Sequence, residues 1–348
     1  MCILLPMARP DYMTLPAATH MFAVMKAHHL PRNWVASNMN QISVEEDLNT
    51  QLIHLPRIFT RELKTYRNNP QFECASLSAE ALYRSQQGFK EQLGTYLQMG
   101  FYIVLCVDRF YISAYNDYQQ RHLSHLLLVY GIKGGSILAN DFFNDASGYN
   151  LYKSLTLSLA EIYQGFKANY QLQLTDQALD IFRVLPQKDI YPFNPKIYKL
   201  LVEDYLNSAP SWLRFFPDGV KFEYTRQPMI WGAACMQNYQ KELERFIYTL
   251  RNDPDAITPN LRYYHMFNMY KKIVYDNLLY IGRLHPELDT EPILEKLAVV
   301  CTYLQRVEAL VTKALLSGRP GHLENAAEEI GHMINLDHMA YEQMFELF

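Results

Sequence analysis

GFYIVLCVDRFYISAY at residues 100–115, LSHLLLVYG at 123–131, IKGG at 132–135 and SILANDFF at 136–143 are the stretches from which the fold is read. The first is too dense in Val, Ile and Tyr for a comfortable helix. Such side chains lose rotamer freedom against a helical turn and pack well on a pleated surface. The second is another run of the same kind. Gly134-Gly135 offers two residues that adopt positive φ without steric cost, so the second and fourth stretches read as a β-hairpin turning there.

Outward from this hairpin the pattern turns helical. Pro16 suits the first turn of a helix through AATHMFAVMKAHH, with Phe22, Val24 and Met25 toward a core and Pro31 as its stop. Residues 44–65 and 77–98 read as helices, the latter through Leu82, Phe89, Leu93 and Leu97, with Gly100 as its end. After the hairpin, LTLSLAEIYQGFKANY is read as a helix, followed by 174–186, 195–208, 229–252, 259–284, 290–317 and 320–346. Tyr263, Met266, Met269 and Tyr270 form a stripe expected in a core. Asp253-Pro254 and Gly318-Arg319-Pro320-Gly321 are breaks. The fold class is α+β: a mixed domain over 1–150, then a largely helical domain over 151–348 expected to pack on it, since no Pro/Gly/Ser-rich linker divides them.

A chain of 348 residues is long enough for two such parts and for a core that needs no covalent staples. The formal charge of −4 offers no basic stripe for nucleic acid or an anionic membrane. Five cysteines without CxxC spacing argue against a zinc site and a secreted disulfide framework. The N-terminal MCILLPMARPDY is too short in apolar run for a signal peptide, and nowhere do 18 apolar residues follow one another, so a cytoplasmic location is expected. There is no P-loop, GxSxG or dinucleotide fingerprint.

The candidate chemistry lies in the hairpin. His125 is on one strand and Asp141 on the other, at positions that fall about opposite each other across the turn, so a cross-strand contact is expected. A carboxylate that holds an imidazole in one tautomer makes it a usable base. His125 is equally a residue type that a core satisfies with backbone, and Asp141 one that caps a turn. His122 is the nearest rival, at a loop end open to solvent. Glu329 and His332 make an ExxH with His338 further on, but no second ExxH exists, and a solvated helix face explains them.

VLCVDRFYI, the polar loop SAYNDYQQRH, HLSHLLLVYGI and ILANDFF, with WVASN at 34–38 and SGYNLYKSLTLSLAEIY after the hairpin, resemble the domain family named after butirosin biosynthesis protein H. The likeness covers about residues 10–165. It implies a papain-like, cysteine-peptidase-like first domain that moves an acyl or aminoacyl group from a phosphopantetheine thioester to an amine or hydroxyl, in antibiotic (nonribosomal peptide or polyketide) biosynthesis. The implied partner is an acyl or peptidyl carrier protein, and no cofactor of the chain's own is implied. Thioester exchange onto a protein nucleophile would precede aminolysis with His125 as base, and Asn38 and Gln41 are candidate oxyanion donors, or a turn-forming pair. The family's Cys stands at the start of the first long helix, where this chain has DYMTLPAATHMF and no Cys; Thr14 or Leu15 takes its place. Thr14 is either a weak nucleophile or a helix cap. Cys2 lies in a segment expected to be mobile, and Cys106 in a core strand. A catalytically inactive binding or docking module for a synthetase, or a thioester hydrolase, are the alternatives.

Overall fold

In the computed structural model the described residues are 2–47, 52–53, 57–58, 64–82, 84–144, 150–174, 178–187, 190–215, 229–253 and 261–348. The chain is mixed α and β, its main sheet antiparallel, and it divides into two compact units. The first is Met1–Pro31 with Glu62–Tyr191, and the second is Arg32–Arg61 with Pro192–Phe348. The boundary expected at 150 therefore falls inside the first unit, on a strand. Residues 32–61 belong with the helical unit.

Elements are numbered in chain order. The first unit holds strands β1 (Cys2–Leu4), β5 (Phe72–Ser78), β6 (Tyr102–Asp108), β7 (Ser124–Lys133), β8 (Ser136–Asn144), β9 (Asn150–Leu157) and β10 (Ala178–Val184). Its helices are α1 (Pro16–Ala27), α3 (Gln86–Gln98) and α4 (Leu159–Gln171). The strands run in the order β5-β10-β6-β7-β8-β9, and β1 pairs with β7 beyond the end of β6. Gly134 and Gly135, at φ +58° and +90°, make the two-residue turn between Lys133 and Ser136. Those angles are the reason glycine is needed at both places.

Alternation along the strands divides the sheet's two faces. Ile103, Leu105, Val107, Leu127, Val129, Leu179 and Ile181 pack under α3 and α4. On the other face α1 crosses the sheet, its His28 Nε2 2.8 Å from the Tyr102 hydroxyl and its His20 Nε2 3.3 Å from the Leu126 carbonyl. Phe182 stacks there on Tyr66 and Tyr102.

In the first unit three helices expected from sequence are strand in whole or part. The segment 174–186 contains β10, an inner strand buried on both faces, with Leu179 and Ile181 on one and Asp180 and Phe182 on the other, so ALDIFRV lacks the apolar-polar alternation that would tell it from a helix. LTLSLAEIYQGFKANY is the end of β9 followed by α4, with Ser158 capping the helix through its hydroxyl to the Ala160 N–H. The expected helix 77–98 begins only at Gln86; the residues before it close β5 and make a short 3-10 turn. Cys2 is exposed but paired within β1, rather than in a mobile segment.

Gly131 marks where β1 docks. A Cβ there would stand 2.6 Å from the Ile3 carbonyl oxygen. Gly131→Ala is expected to cost roughly 1–3 kcal/mol, the usual range for overpacking. Urea unfolding would measure it, and a variant as stable as the parent would show that β1 moves aside freely.

The second unit holds α2 (Asn33–Asn38), α5 (Pro195–Leu206), α6 (Trp212–Phe215), α7 (Ala233–Asn252), α8 (Leu261–Leu284), α9 (Glu291–Ser317) and α10 (Gly321–Glu346). A small sheet adds β2 (Ile42–Asp47), β3 (Leu52–Ile53), β4 (Arg57–Ile58) and β11 (Met229–Trp231). The helix expected at 44–65 is thus strand at 44–47, 52–53 and 57–58, its last residue Thr65 opens a short 3-10 turn, and 48–51, 54–56 and 59–63 lie outside the described residues. The long helices keep nearly the expected bounds. Tyr263, Met266 and Tyr270 are buried in the core, as their stripe predicts, while Met269 is half-buried. Among the described residues no helix is long and apolar enough to cross a membrane.

Candidate functional site

His125 and Asp141 meet. His125 Nε2 lies 3.1 Å from Asp141 Oδ1, and the pair stands on the sheet face that α3 and α4 cover. The two residues are not directly opposite, however. At the turn the register pairs Lys133 with Ser136 and Gly131 with Leu138; continued unchanged, it would put Asp141 opposite Leu128, on the face away from His125. Tyr130 is an extra residue in β7, a bulge between Val129 and Gly131, after which Leu128 faces Asn140. Asp141 then falls opposite Leu127, two residues from His125 and on the same face. One inserted residue sets the parity of every side chain beyond it.

Asp141 is fully buried, while the His125 side chain is 19 % exposed. The Tyr115 hydroxyl donates to the other carboxylate oxygen, Oδ2. Burial pushes Asp141 up, but His125 and the Tyr115 hydrogen bond outweigh it and hold its carboxyl below the ordinary aspartate value. Tyr115 is pushed well above the usual tyrosine range by burial and by Asp141's charge, so it remains a donor. The Arg109 guanidinium lies 4.4 Å from the centre of the Tyr115 ring and 2.9 Å from Asp117, which fixes the ring that fixes Asp141. With Nε2–H given to Asp141, the Nδ1 lone pair of His125 is the proton acceptor.

A second His–Asp pair lies at the same end of the sheet. His122 Nδ1 is 2.6 Å from Asp108 Oδ2, and its half-exposed ring stacks on Phe110 at 4.3 Å. Asp108 is fully buried and also accepts from the Phe110 and Leu123 N–H groups through Oδ1. His122 is thus as solvent-accessible as its loop-end position suggested, yet it is held. Asp108 was visible in the sequence only as a charge interrupting a strand.

The nucleophile is where expectation and structure part. The helix does start at Pro16, and the positions of His20 and His28 put its N-terminus toward the end of the sheet where His125 stands. But α1 lies on the opposite face. Thr14 is 8 % exposed, and its hydroxyl is buried with no hydrogen-bond partner, so it is not bonded to His125. It does not cap the helix with its side chain either; Leu15 is the N-cap, and the Thr14 N–H donates to Thr19 Oγ1 at 2.9 Å. Cys106 pairs in register with Leu126, one residue from His125, and so points to the other face. Cys235 and Cys301, in the second unit, have thiols pushed up by burial, Cys301 to about 12.

Asn38 and Gln41, the expected oxyanion donors, belong to the second unit and are spent inside it. Asn38 Nδ2 donates to the Trp34 carbonyl at 2.9 Å. The fully buried Gln41 side chain bridges Ala209, Ser211 and the Ile42 N–H. Glu329 pairs with Arg306, and His338 with Glu342 one turn on, as a solvated helix face would have them. Among the described residues no group of three or more His, Cys, Asp or Glu is placed to hold a metal ion.

No protein-family model matches the chain, and no curated protein matches it either. What the site can do rests on its own geometry.

The sequence reading missed His20. It is completely buried in α1, its Nδ1 2.9 Å from the Tyr152 hydroxyl and its Nε2 facing the Leu126 carbonyl. Burial drops its pKa to about 4. The imidazole is therefore neutral, with Nε2–H donating to the carbonyl and Nδ1 accepting from Tyr152. Nothing local signalled it, because a His amid apolar helix residues reads the same whether it is bonded or exposed.

Proposed function

We propose that the first unit is a papain-like domain of the butirosin type that transfers an acyl or aminoacyl group from a carrier-protein thioester to an amine or hydroxyl. His125 is its general base, and the partner is an acyl or peptidyl carrier protein in the cytoplasm. The observation that carries this reading is the His125–Asp141 pair, a part-exposed imidazole whose tautomer is set by a buried, ionised carboxylate. The sequence likeness around that hairpin supports the choice of reaction.

Among the described residues no hydroxyl or thiol is bonded to His125, so the step runs without an acyl-enzyme. Nδ1 takes the proton from the acceptor as the acceptor's nitrogen or oxygen bonds to the thioester carbonyl. The tetrahedral oxyanion collapses, the carbon–sulfur bond breaks, and the departing thiolate recovers the proton from the imidazolium. Asp141 stabilises that imidazolium throughout. The unpartnered hydroxyl of Thr14 on the far face favours a second reading, a docking module that binds the carrier protein without turnover.

Acyl- and aminoacyl-pantetheine thioesters, assayed with and without an amine acceptor, test this by thiol release and product mass. His125→Ala is expected to lower amide formation roughly a hundredfold or more, as loss of a general base does. His122→Ala should stay near the parent rate. Turnover unchanged in His125→Ala would refute the assignment. Thiol release that needs no acceptor would make the protein a hydrolase, and carrier-protein binding without turnover would establish the docking module.

A further inference from the structure

The loop from Arg109 to Leu123, between β6 and β7, is tied down at its base and across its middle. Buried Asp108 accepts the Phe110 and Leu123 N–H groups through Oδ1, each at 3.1 Å, and the Arg109 N–H donates to the Leu123 carbonyl at 2.9 Å. None of these bonds involves the His122 ring, which takes Oδ2. Farther along, the Gln119 N–H returns to the Phe110 carbonyl at 3.0 Å, and the Ser113 N–H donates to Glu161 of α4 at 3.3 Å. A loop closed in this way holds its inward side chains in one place.

Tyr115 is the side chain this loop turns toward the His125–Asp141 pair. Its buried ring meets the His125 ring edge-on, with centroids 5.9 Å apart and planes at 75°. His125 Nε2 lies 3.1 Å from Asp141 Oδ1 and also 3.1 Å from Oδ2, the oxygen that accepts the Tyr115 hydroxyl. The imidazole and the phenol therefore share one carboxylate oxygen. A hydroxyl bonded to a carboxylate takes up part of its charge, and that part no longer favours an imidazolium. The Arg109 cation over the Tyr115 ring makes the phenol a stronger donor. The other titratable groups around the pair form a constant background. Lys153 stands opposite Asp141 in register on β9, His20 lies behind the sheet in α1, and Asp108 is held by His122. From α4 the nearest such group is Glu161, and α3 turns Phe89, Leu93 and Leu97 to the sheet.

We propose that Tyr115 is a positioning residue that sets the proton affinity of His125. Its hydroxyl, backed by Arg109, takes charge from Asp141 and so keeps the imidazole unprotonated and ready as a base. Asp141 alone would orient the ring but would also hold a proton on it; Tyr115 keeps the first effect and weakens the second. This role rests on reading His125 as the base, not on which reaction that base serves.

An NMR titration of the full chain with isotope-labelled histidine tests the inference, the His125 signal being the one lost in His125→Ala. Tyr115→Phe is expected to move the midpoint of the His125 titration up by about one pH unit, the size of one hydrogen bond to a charged group. A midpoint unmoved or lowered would overturn the proposal, since a ring that only fills space is replaced by phenylalanine without electrostatic effect. Arg109→Met keeps the hydroxyl and removes the cation, so it should move the midpoint the same way by less. It carries the test if the phenylalanine variant does not fold, and an unmoved midpoint there would overturn the proposal too. The measurement needs no turnover. An upward shift in a protein that turns over no thioester would remove the acyl-transfer reading and leave the role of Tyr115 standing. With turnover, the acid limb of the pH–rate profile should move up by the same amount as the NMR midpoint.

Discussion

Lys271→Met is expected to lower the unfolding free energy by about 3–5 kcal/mol, the cost of leaving one member of a buried ion pair without the other. Lys271 is fully buried in the second unit, its Nζ 2.6 Å from Asp337 Oδ1 and 2.8 Å from the Tyr205 hydroxyl oxygen. Tyr205 donates its own proton to Asp337 Oδ2 at 2.5 Å. The rings of Tyr205, Tyr270 and Tyr341 surround the ammonium at 4.4, 5.0 and 4.5 Å. Burial pulls the lysine below its ordinary value, with Asp337 acting against that pull. Methionine replaces the aliphatic stem but supplies no charge, so Asp337 keeps only the tyrosine hydrogen bond. The double variant Lys271→Met with Asp337→Leu removes both charges and is expected to recover most of the loss. Urea unfolding with an unchanged m-value measures each step. A single variant as stable as the parent would mean that the pair is not ionic in the folded protein.

Acidification is expected to destabilise the first unit in a window set by His20. Its pKa is about 4 in the folded chain against 6.5 for an unperturbed histidine, because burial penalises the charged ring. A lowered histidine pKa means that, between those values, the unfolded chain holds a proton that the folded chain does not. Stability therefore falls as pH drops from 6.5 to 4, is unaffected above that window, and changes no further below it. At 1.36 kcal/mol per unit the loss amounts to about 3 kcal/mol. Asp141 acts in the same sense over a lower range: its folded pKa lies below 3.8, so the stability it contributes is lost only as pH falls beneath that value. The two effects separate along the pH axis. His20→Gln should flatten the stability curve between pH 6.5 and 4 relative to the parent. Parallel curves for the two proteins would show that His20 titrates normally.

These expectations sort by where the information lay. The hairpin was legible because its signal is local: two β-rich runs joined by a Gly-Gly pair that alone tolerates φ of +58° and +90°. The start of α1 at Pro16 and the long helices α7 to α10 were legible for the same reason, since caps and periodicity are properties of neighbours in sequence. His125 and Asp141 could be paired as candidates from their place around that turn. Whether they share a face could not be read, because it depends on the bulge at Tyr130, and an insertion in register leaves no mark in composition. β10 was misread because burial on both faces erases the period that separates strand from helix. His20, Tyr152 and Asn140 come together from three separate elements, and no pattern within any one of them announces the others. The sequence by itself determined the local elements and the candidate acid and base. Tertiary packing alone decided their faces, their partners, the two compact units and the separation of Thr14 from His125, because hydrogen-bond register and burial are settled between segments far apart in the chain.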